Sequence, residues 1–259
     1  MRFRGYFAAG IGLLFALMPL ATRAKSLDEI LSRGTLAVCA HPNALPYSSR
    51  TANPPGFQLE LAEALANRLG VRLATDWIIG PSQLRRADCD VVMDAIADPE
   101  AQDETHLVLS QPYYHTGVVL VVRPGSAIRN WQDLNNRPVR VGVLVSSAAS
   151  VILGKQHVPI SVFGFEDDTL EALQKGEIDA ATINYTTASY YNLTHPKNPV
   201  VLVGFNDHES LLGWNVAVGM IHPDAKLRDA INAALAHLAQ DGTIAKIYAR
   251  YGITLQPPR

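Results

Sequence analysis

The sequence predicts an α/β protein of two lobes joined by a two-segment hinge. Three observations lead there. Apolar, β-rich runs alternate with segments of helical periodicity, this alternation occurs in two separate blocks, and two long apolar strands, Gly117–Arg123 and Trp214–Ile221, leave the first block and return to it. Alternating strands and helices build sheets covered on both faces. Two such blocks linked by two extended segments make two lobes and a hinge.

In the first block, Thr35–Ala40 is a strand announced by Gly34, and a turn-rich loop with Pro42, Pro46 and Asn53-Pro-Pro-Gly56 follows. Phe57–Leu69 is a helix, because Leu61, Leu65 and Leu69 share one face and Gly70 stands ready to end it. Val71–Ile79 reads as a second strand. Asp90–Ile96 reads as a third, continuously apolar as a buried parallel strand is. In the second block, Arg140–Val145, Ile160–Phe165, Ile178–Ile183 and Val200–Phe205 are strands, and Ser146–Lys155, Asp168–Lys175 and Thr186–Leu193 are helices. The chain closes with two helices: Leu227, Ile231, Leu235 and Leu238 line one face behind Asp224, and the pattern resumes at Ile244 after Asp241-Gly242.

Residues 1–24 read as a secretory signal peptide. Arg2 and Arg4 precede an apolar stretch from Phe7 to Ala21, and Ala24 offers a small residue for cleavage. The stretch falls short of the ~18–20 residues that span a bilayer. The mature chain is therefore expected in the periplasm, as a monomer, with lobe 1 formed by 25–121 and 217–259 and lobe 2 by 122–216. The net charge of −2 and the absence of a basic block argue against a nucleic-acid partner. Histidines at zinc spacing, a Gly-x-Ser-x-Gly elbow, a Walker loop and Gly-x-Gly-x-x-Gly are all missing, which points to a binding protein with no metal, no cofactor and no catalytic role.

The two cysteines, Cys39 and Cys89, give opposed indications. A pair in an exported chain usually forms a disulfide. Yet Cys39 ends one predicted strand and Cys89 begins another, and opposite ends of parallel neighbours lie beyond the ~7 Å Cα separation that a bridge tolerates. Sequence leaves the pairing open.

In open α/β sheets, ligands sit beyond the carboxyl ends of the strands. That rule selects Asn43 and Tyr47 after the first strand, Tyr47 offering a ring to stack on a ligand. It selects Asp94, with Asp98, at the third. Ser146 and Ser147 open a helix directly after a strand, suited both to capping and to an anionic ligand group. Asn184 and Tyr185 follow a further strand end. Of Tyr113 and Tyr114, near the hinge, one is expected in the core and the other on the cleft. Trp214 is expected to pack at the hinge, and Glu166-Asp167-Asp168 reads as a solvated helix start.

Gly34-Thr-Leu-Ala-Val, Gly56-Phe57, Ser110-Gln-Pro-Tyr-Tyr114, Gly176-Glu-Ile-Asp-Ala180, Asp241-Gly-Thr-Ile-Ala245 and Tyr248-Ala-Arg-Tyr-Gly252 occur in an order that resembles the type II periplasmic solute-binding proteins of family 3. The resemblance covers nearly all of the mature chain. It implies a small-molecule ligand held between the lobes and an inner-membrane ABC permease as partner. Cys39-Ala-His-Pro-Asn43 with Leu45-Pro46-Tyr47-Ser48, and Cys89-Asp-Val-Val-Met93, are similar to one branch, the quinoprotein-dehydrogenase-associated binding proteins. That branch implies a second partner, a periplasmic quinoprotein dehydrogenase using pyrroloquinoline quinone. Amino-acid binders of the family carry an arginine about nine residues before the Pro-Tyr-Tyr proline, as a carboxylate clamp. Asp103 stands there in this chain, Asn184 replaces the aspartate that holds an α-ammonium, and Thr186 replaces a proline. A few relatives dehydrate cyclohexadienyl acids, but that chemistry also needs the missing clamp.

Overall fold

The structure is a computed structural model describing residues 25–259 except 85, 99, 103, 104, 207 and 208. The expected signal peptide and Asp103 lie outside the described residues. Helix α1 (Leu27–Arg33) opens with a capping box in which Ser26 and Glu29 each satisfy the other's backbone N–H. Gly34, at φ 69°, ends it and turns the chain into β1 (Thr35–Ala40). A small hairpin, β2 (Asn43–Ala44) with β3 (Ser48–Ser49), leads to α2 (Phe57–Arg68). Strands β4 (Arg72–Trp77) and β5 (Val91–Ile96) flank β1 in parallel, and β6 (Val108–Leu109) is a short edge piece. Strand β7 (Tyr114–Val122) then leaves this lobe.

The second lobe runs through β8 (Val141–Leu144), α3 (Ala148–Lys155), β9 (Ile160–Phe163), α4 (Glu166–Lys175), β10 (Ala180–Asn184), α5 (Tyr185–Thr194) and β11 (Val201–Phe205). Strand β12 (Gly213–Met220) returns, and α6 (Ala225–Gln240) and α7 (Thr243–Ala249) pack on the first lobe. Strand order along the whole is β4-β1-β5-β12-β7-β10-β8-β9. The hinge lies in its middle. β7 pairs with β12 through Tyr114–Gly117 and with β10 through Val118–Val122; β12 pairs with β7 through Gly213–Val216 and with β5 through Val216–Met220. Each crossing strand thus belongs to one lobe by one half and to the hinge by the other.

Packing follows from the periodicities. Phe57, Leu61 and Leu65 of α2 meet Leu227, Ile231 and Leu235 of α6 over Leu36 and Val38 of β1, all buried. Each such side chain contributes about 2 kcal/mol on burial. In the other lobe the period of two along β7 divides the core: Leu120 and Val122 face Val141, Val143 and Leu153, while Val119 and Val121 face Leu170, Leu173 and Ile183.

Cys39 and Cys89 are joined, with Cα atoms 5.4 Å apart. The sulfurs come within reach because Cys89 is not the first residue of its strand, which starts at Val91. Val91 opens β5 opposite Val38, and Asp90 pins the entering chain: its N–H donates to Ala37 O and its carboxylate accepts from Ala37 N–H at 2.8 Å. The segment before Asp90 lies over the sheet face to which Ala37 and Cys39 point, packed with Leu84. Cys89 therefore sits above Cys39.

Candidate functional site

The carboxyl ends of β1 and β5 in one lobe, and of β8 and β10 in the other, border the crevice between the lobes. On the first side, the loop after β1 folds back to cap α2. Phe57 N–H donates to Pro46 O at 2.9 Å and Gln58 N–H to Tyr47 O at 3.0 Å, so carbonyls satisfy the helix start where no side chain does. This fixes Tyr47, whose ring packs on Phe57 with centroids 5.1 Å apart. Its hydroxyl reaches across the crevice to Thr186 Oγ1 at 2.5 Å. The lobes also meet through Tyr185, which donates to Thr254 O at 3.1 Å, and through the Tyr190–Tyr251 ring pair.

Asp94 is the centre of the first wall. The register between β12 and β5 slips so that Val218 alone faces both Met93 and Asp94. The bulge puts Asp94 in the left-handed region, at φ 53°, which aspartate tolerates better than most residues. A bulge of this kind re-aims a side chain that regular pleating would point elsewhere. Here the carboxylate accepts from the hydroxyls of Tyr113 and Tyr248, the latter at 3.1 Å. Burial pushes its pKa up, and hydrogen bonds from Tyr113, Tyr248 and Gln58 only partly offset that.

The opposite wall carries Glu166, first residue of α4, whose Oε1 accepts from Asn184 N–H at 2.6 Å. The expectation of a solvated helix start holds for the exposed Asp167 and Asp168 and fails for Glu166, which is half-buried. Its pKa is also raised, first by burial. Both acids act on the Tyr47 hydroxyl, so an acidic side chain stands on each side of a shared tyrosine.

The model of the bacterial extracellular solute-binding proteins, family 3, matches residues 36–254. The chain belongs to this family. It is 27% identical to the probable amino-acid-binding protein YxeM of Bacillus subtilis, over 94% of this chain and 92% of that one. It is 25% identical to the L-cystine-binding protein TcyJ of Escherichia coli, over 87% and 85%. Among solved structures, an ancestral cationic amino acid solute-binding protein, AncCDT-1, superposes with a TM-score of 0.73 at 27% identity, covering 88% of this chain and 99% of that one.

Within this solute-binding fold, the residues selected from sequence take several roles. Tyr47, Asp94 and Tyr113 converge on the first wall, and Asn184 and Tyr185 stand at the second. Asn43 is exposed and lines an outer groove between the β2 turn and α4–α5. Ser147 alone caps α3: its hydroxyl accepts from Ser150 N–H and donates to Leu144 O. Ser146 does not open the helix; it is exposed, outside it, at φ 55°. Of the hinge tyrosines, Tyr114 is the core residue and Tyr113 the one on the crevice. Trp214 packs against the first lobe's core. Asp98 is exposed, and its Oδ1 accepts from Glu100 N–H. Sequence reasoning missed Gln58, Thr186 and Tyr248. Tyr248 had a readable signal, its place on the apolar face of the last helix. For Thr186 the signal was the substituted proline, which the pattern flagged without giving a role.

The raised carboxyls carry a sign. In the folded protein Glu166 holds its proton to higher pH than in the unfolded chain, so folding loses stability as pH rises from the ordinary 4.5 through the folded value. Glu166→Gln keeps an acceptor for Asn184 and removes the charge. The ligand-free variant should match the parent's melting temperature in acid and exceed it progressively above that window. Thermal melts across a pH series check this; a gap that stayed constant with pH would contradict it.

Proposed function

We propose that this solute-binding protein, once residues 1–24 are removed by a signal peptidase, works in the periplasm. It captures a small organic solute between its lobes and presents the closed form to an inner-membrane ABC permease. It binds without catalysing, as a monomer. Residues 25–121 with 217–259 move against 122–216 as rigid bodies about β7 and β12. The observation that carries the reading is the Tyr47–Thr186 hydrogen bond, a contact between the lobes on either side of the β7–β12 crossing that would form on closure and break on opening. The relatives support it: YxeM and TcyJ are named for amino-acid and L-cystine binding, and AncCDT-1 for cationic amino acids. The ligand set we assign is Tyr47, Asp94, Tyr113, Asn184 and Tyr185, with Asn43, Ser146 and Ser147 towards the rim.

Small-angle scattering tests the capture. The radius of gyration should fall when the protein is saturated with a solute chosen by thermal-shift screening of amino acids, amines, organic acids and sugars. At 100 times its Kd a ligand adds about 2.7 kcal/mol of stability, which such a screen detects readily. A stabilising solute that leaves the radius unchanged argues against closure. The accessory role beside a quinoprotein dehydrogenase rests on the segments around Cys39 and Cys89, and the relatives named for amino-acid binding favour uptake over it. Pull-down with a quinoprotein dehydrogenase separates the two.

A further inference from the structure

We propose that the solute this crevice selects is an organic cation without a carboxylate, an amine on a small apolar body. The inference rests on the capture reading above and narrows it to a chemical class.

A cavity of about 250 Å³ opens at the carboxyl ends of β1, β4 and β5. Ile79, Leu84, Met93 and Leu107 give it apolar walls, and Asp94 and Gln58 supply polar groups. The two tyrosine hydroxyls bound to Asp94 both meet its Oδ1. Among the described residues no lysine or arginine pairs with this carboxylate, which accepts from the neutral donors Tyr113 and Tyr248. A carboxylate withdrawn from water with no counter-charge is costly, and an ammonium group entering from the cavity supplies one.

A second observation is independent of the acid. Tyr114 is only 1% exposed, and its hydroxyl has no hydrogen-bond partner among the described residues. The Thr116 hydroxyl interacts with it outside normal hydrogen-bond geometry, and Asp94, Tyr185 and Tyr47 reach it by charge. Tyr113 and Tyr248 already occupy Asp94 Oδ1, so the Tyr114 oxygen is left to accept from a donor that arrives from outside. Buried polar groups are rarely left unpaired, and those that are call for an explanation. Glu166 places a second acid on the facing lobe, and it acts on the same Tyr47 hydroxyl as Asp94. A ligand carboxylate brought between these two acids is repelled by both, whereas an ammonium is attracted.

Calorimetric titration of the mature protein with phenethylamine, L-phenylalanine and hydrocinnamate holds the ring constant and varies the charged groups. Phenethylamine should bind at least about tenfold tighter than L-phenylalanine, and hydrocinnamate should not bind. Asp94→Asn should weaken phenethylamine by about thirtyfold, in the range for a hydrogen-bonded charge. Because that variant alters the core of the wall, Tyr114→Phe provides a second reading. Loss of an unpartnered hydroxyl should leave the melting temperature equal or higher while phenethylamine affinity falls about fivefold. The proposal is overturned if L-phenylalanine binds as tightly as phenethylamine, if both variants bind the amine undiminished, or if neither phenethylamine nor butylamine binds. Compaction with an amino acid alone would remove the amine class and leave capture standing. Absence of compaction with every solute that binds would remove capture itself.

Discussion

Opening the Cys39–Cys89 disulfide should lower the free energy of unfolding by about 4 kcal/mol, the value that loop-closure entropy assigns to a link of this span. The two cysteines are 50 residues apart. The enclosed segment holds the whole capping loop, α2 and β4, so the unfolded chain regains a large freedom once the link is gone. The native state has compensations: Cys39 and Cys89 stay packed with Leu84 and Ala37, and Asp90 still bonds Ala37. The expected phenotype is therefore a folded but weaker protein. Urea unfolding of the Cys39→Ala/Cys89→Ala variant, beside the parent with and without reductant, measures it. A loss below about 1 kcal/mol would mean that the denatured chain is already constrained there. Ligand affinity should fall as well, because the bridge ties β1 to the entry of β5, and Asp94 stands on the bulge that follows.

The same bridge shows what the sequence held and what it hid. The strands were legible: β1, β4 and β5 fall where apolar runs placed them, and the hinge strands where long apolar segments left and re-entered a block. Those signals are one-dimensional periodicities, and burial enforces them. The path of the chain between strands is not periodic. Ile78, Leu84, Ala87 and Cys89 lie across a sheet face because Ala37 and Cys39 present an apolar surface there, a fact of three dimensions that spacing does not record. Asp94 illustrates the same limit at the site. Its type and position suggested a ligand contact, but its direction depends on a slipped register with β12, more than a hundred residues away in sequence. Glu166 was discounted because acids at helix starts are usually solvated. In the fold it is half-buried and accepts from Asn184 N–H, a neighbour 18 residues on that spacing does not reveal. Gly56 was legible as a helix start, though the reason it must be glycine was not.

That reason yields the other large effect, expected for Gly56→Ala. Gly56 has φ 109° and ψ 147°, a region essentially restricted to glycine, and occupying it costs another residue about 1–3 kcal/mol. A Cβ would also stand 2.3 Å from Tyr47 O and 2.6 Å from Ser48 Cα, both backbone atoms that cannot swing aside. Relief requires the capping loop to move off α2. This breaks the bonds from Phe57 N–H to Pro46 O and from Gln58 N–H to Tyr47 O, and carries Tyr47 away from Thr186. The sum should be about 4 kcal/mol or more, strain and overpacking together. Gly70→Ala is the internal control: at φ 73° it has the same kind of backbone penalty, with no atom within 4 Å of the added carbon, and should cost about 1–2 kcal/mol. Urea unfolding of both variants, paired with solute titration, separates strain from collision. Gly56→Ala should lose stability and binding together, Gly70→Ala stability alone. Equal losses in the two would mean that the loop yields freely, and that α2 and Tyr47 are not held by the approach of Gly56 to Tyr47.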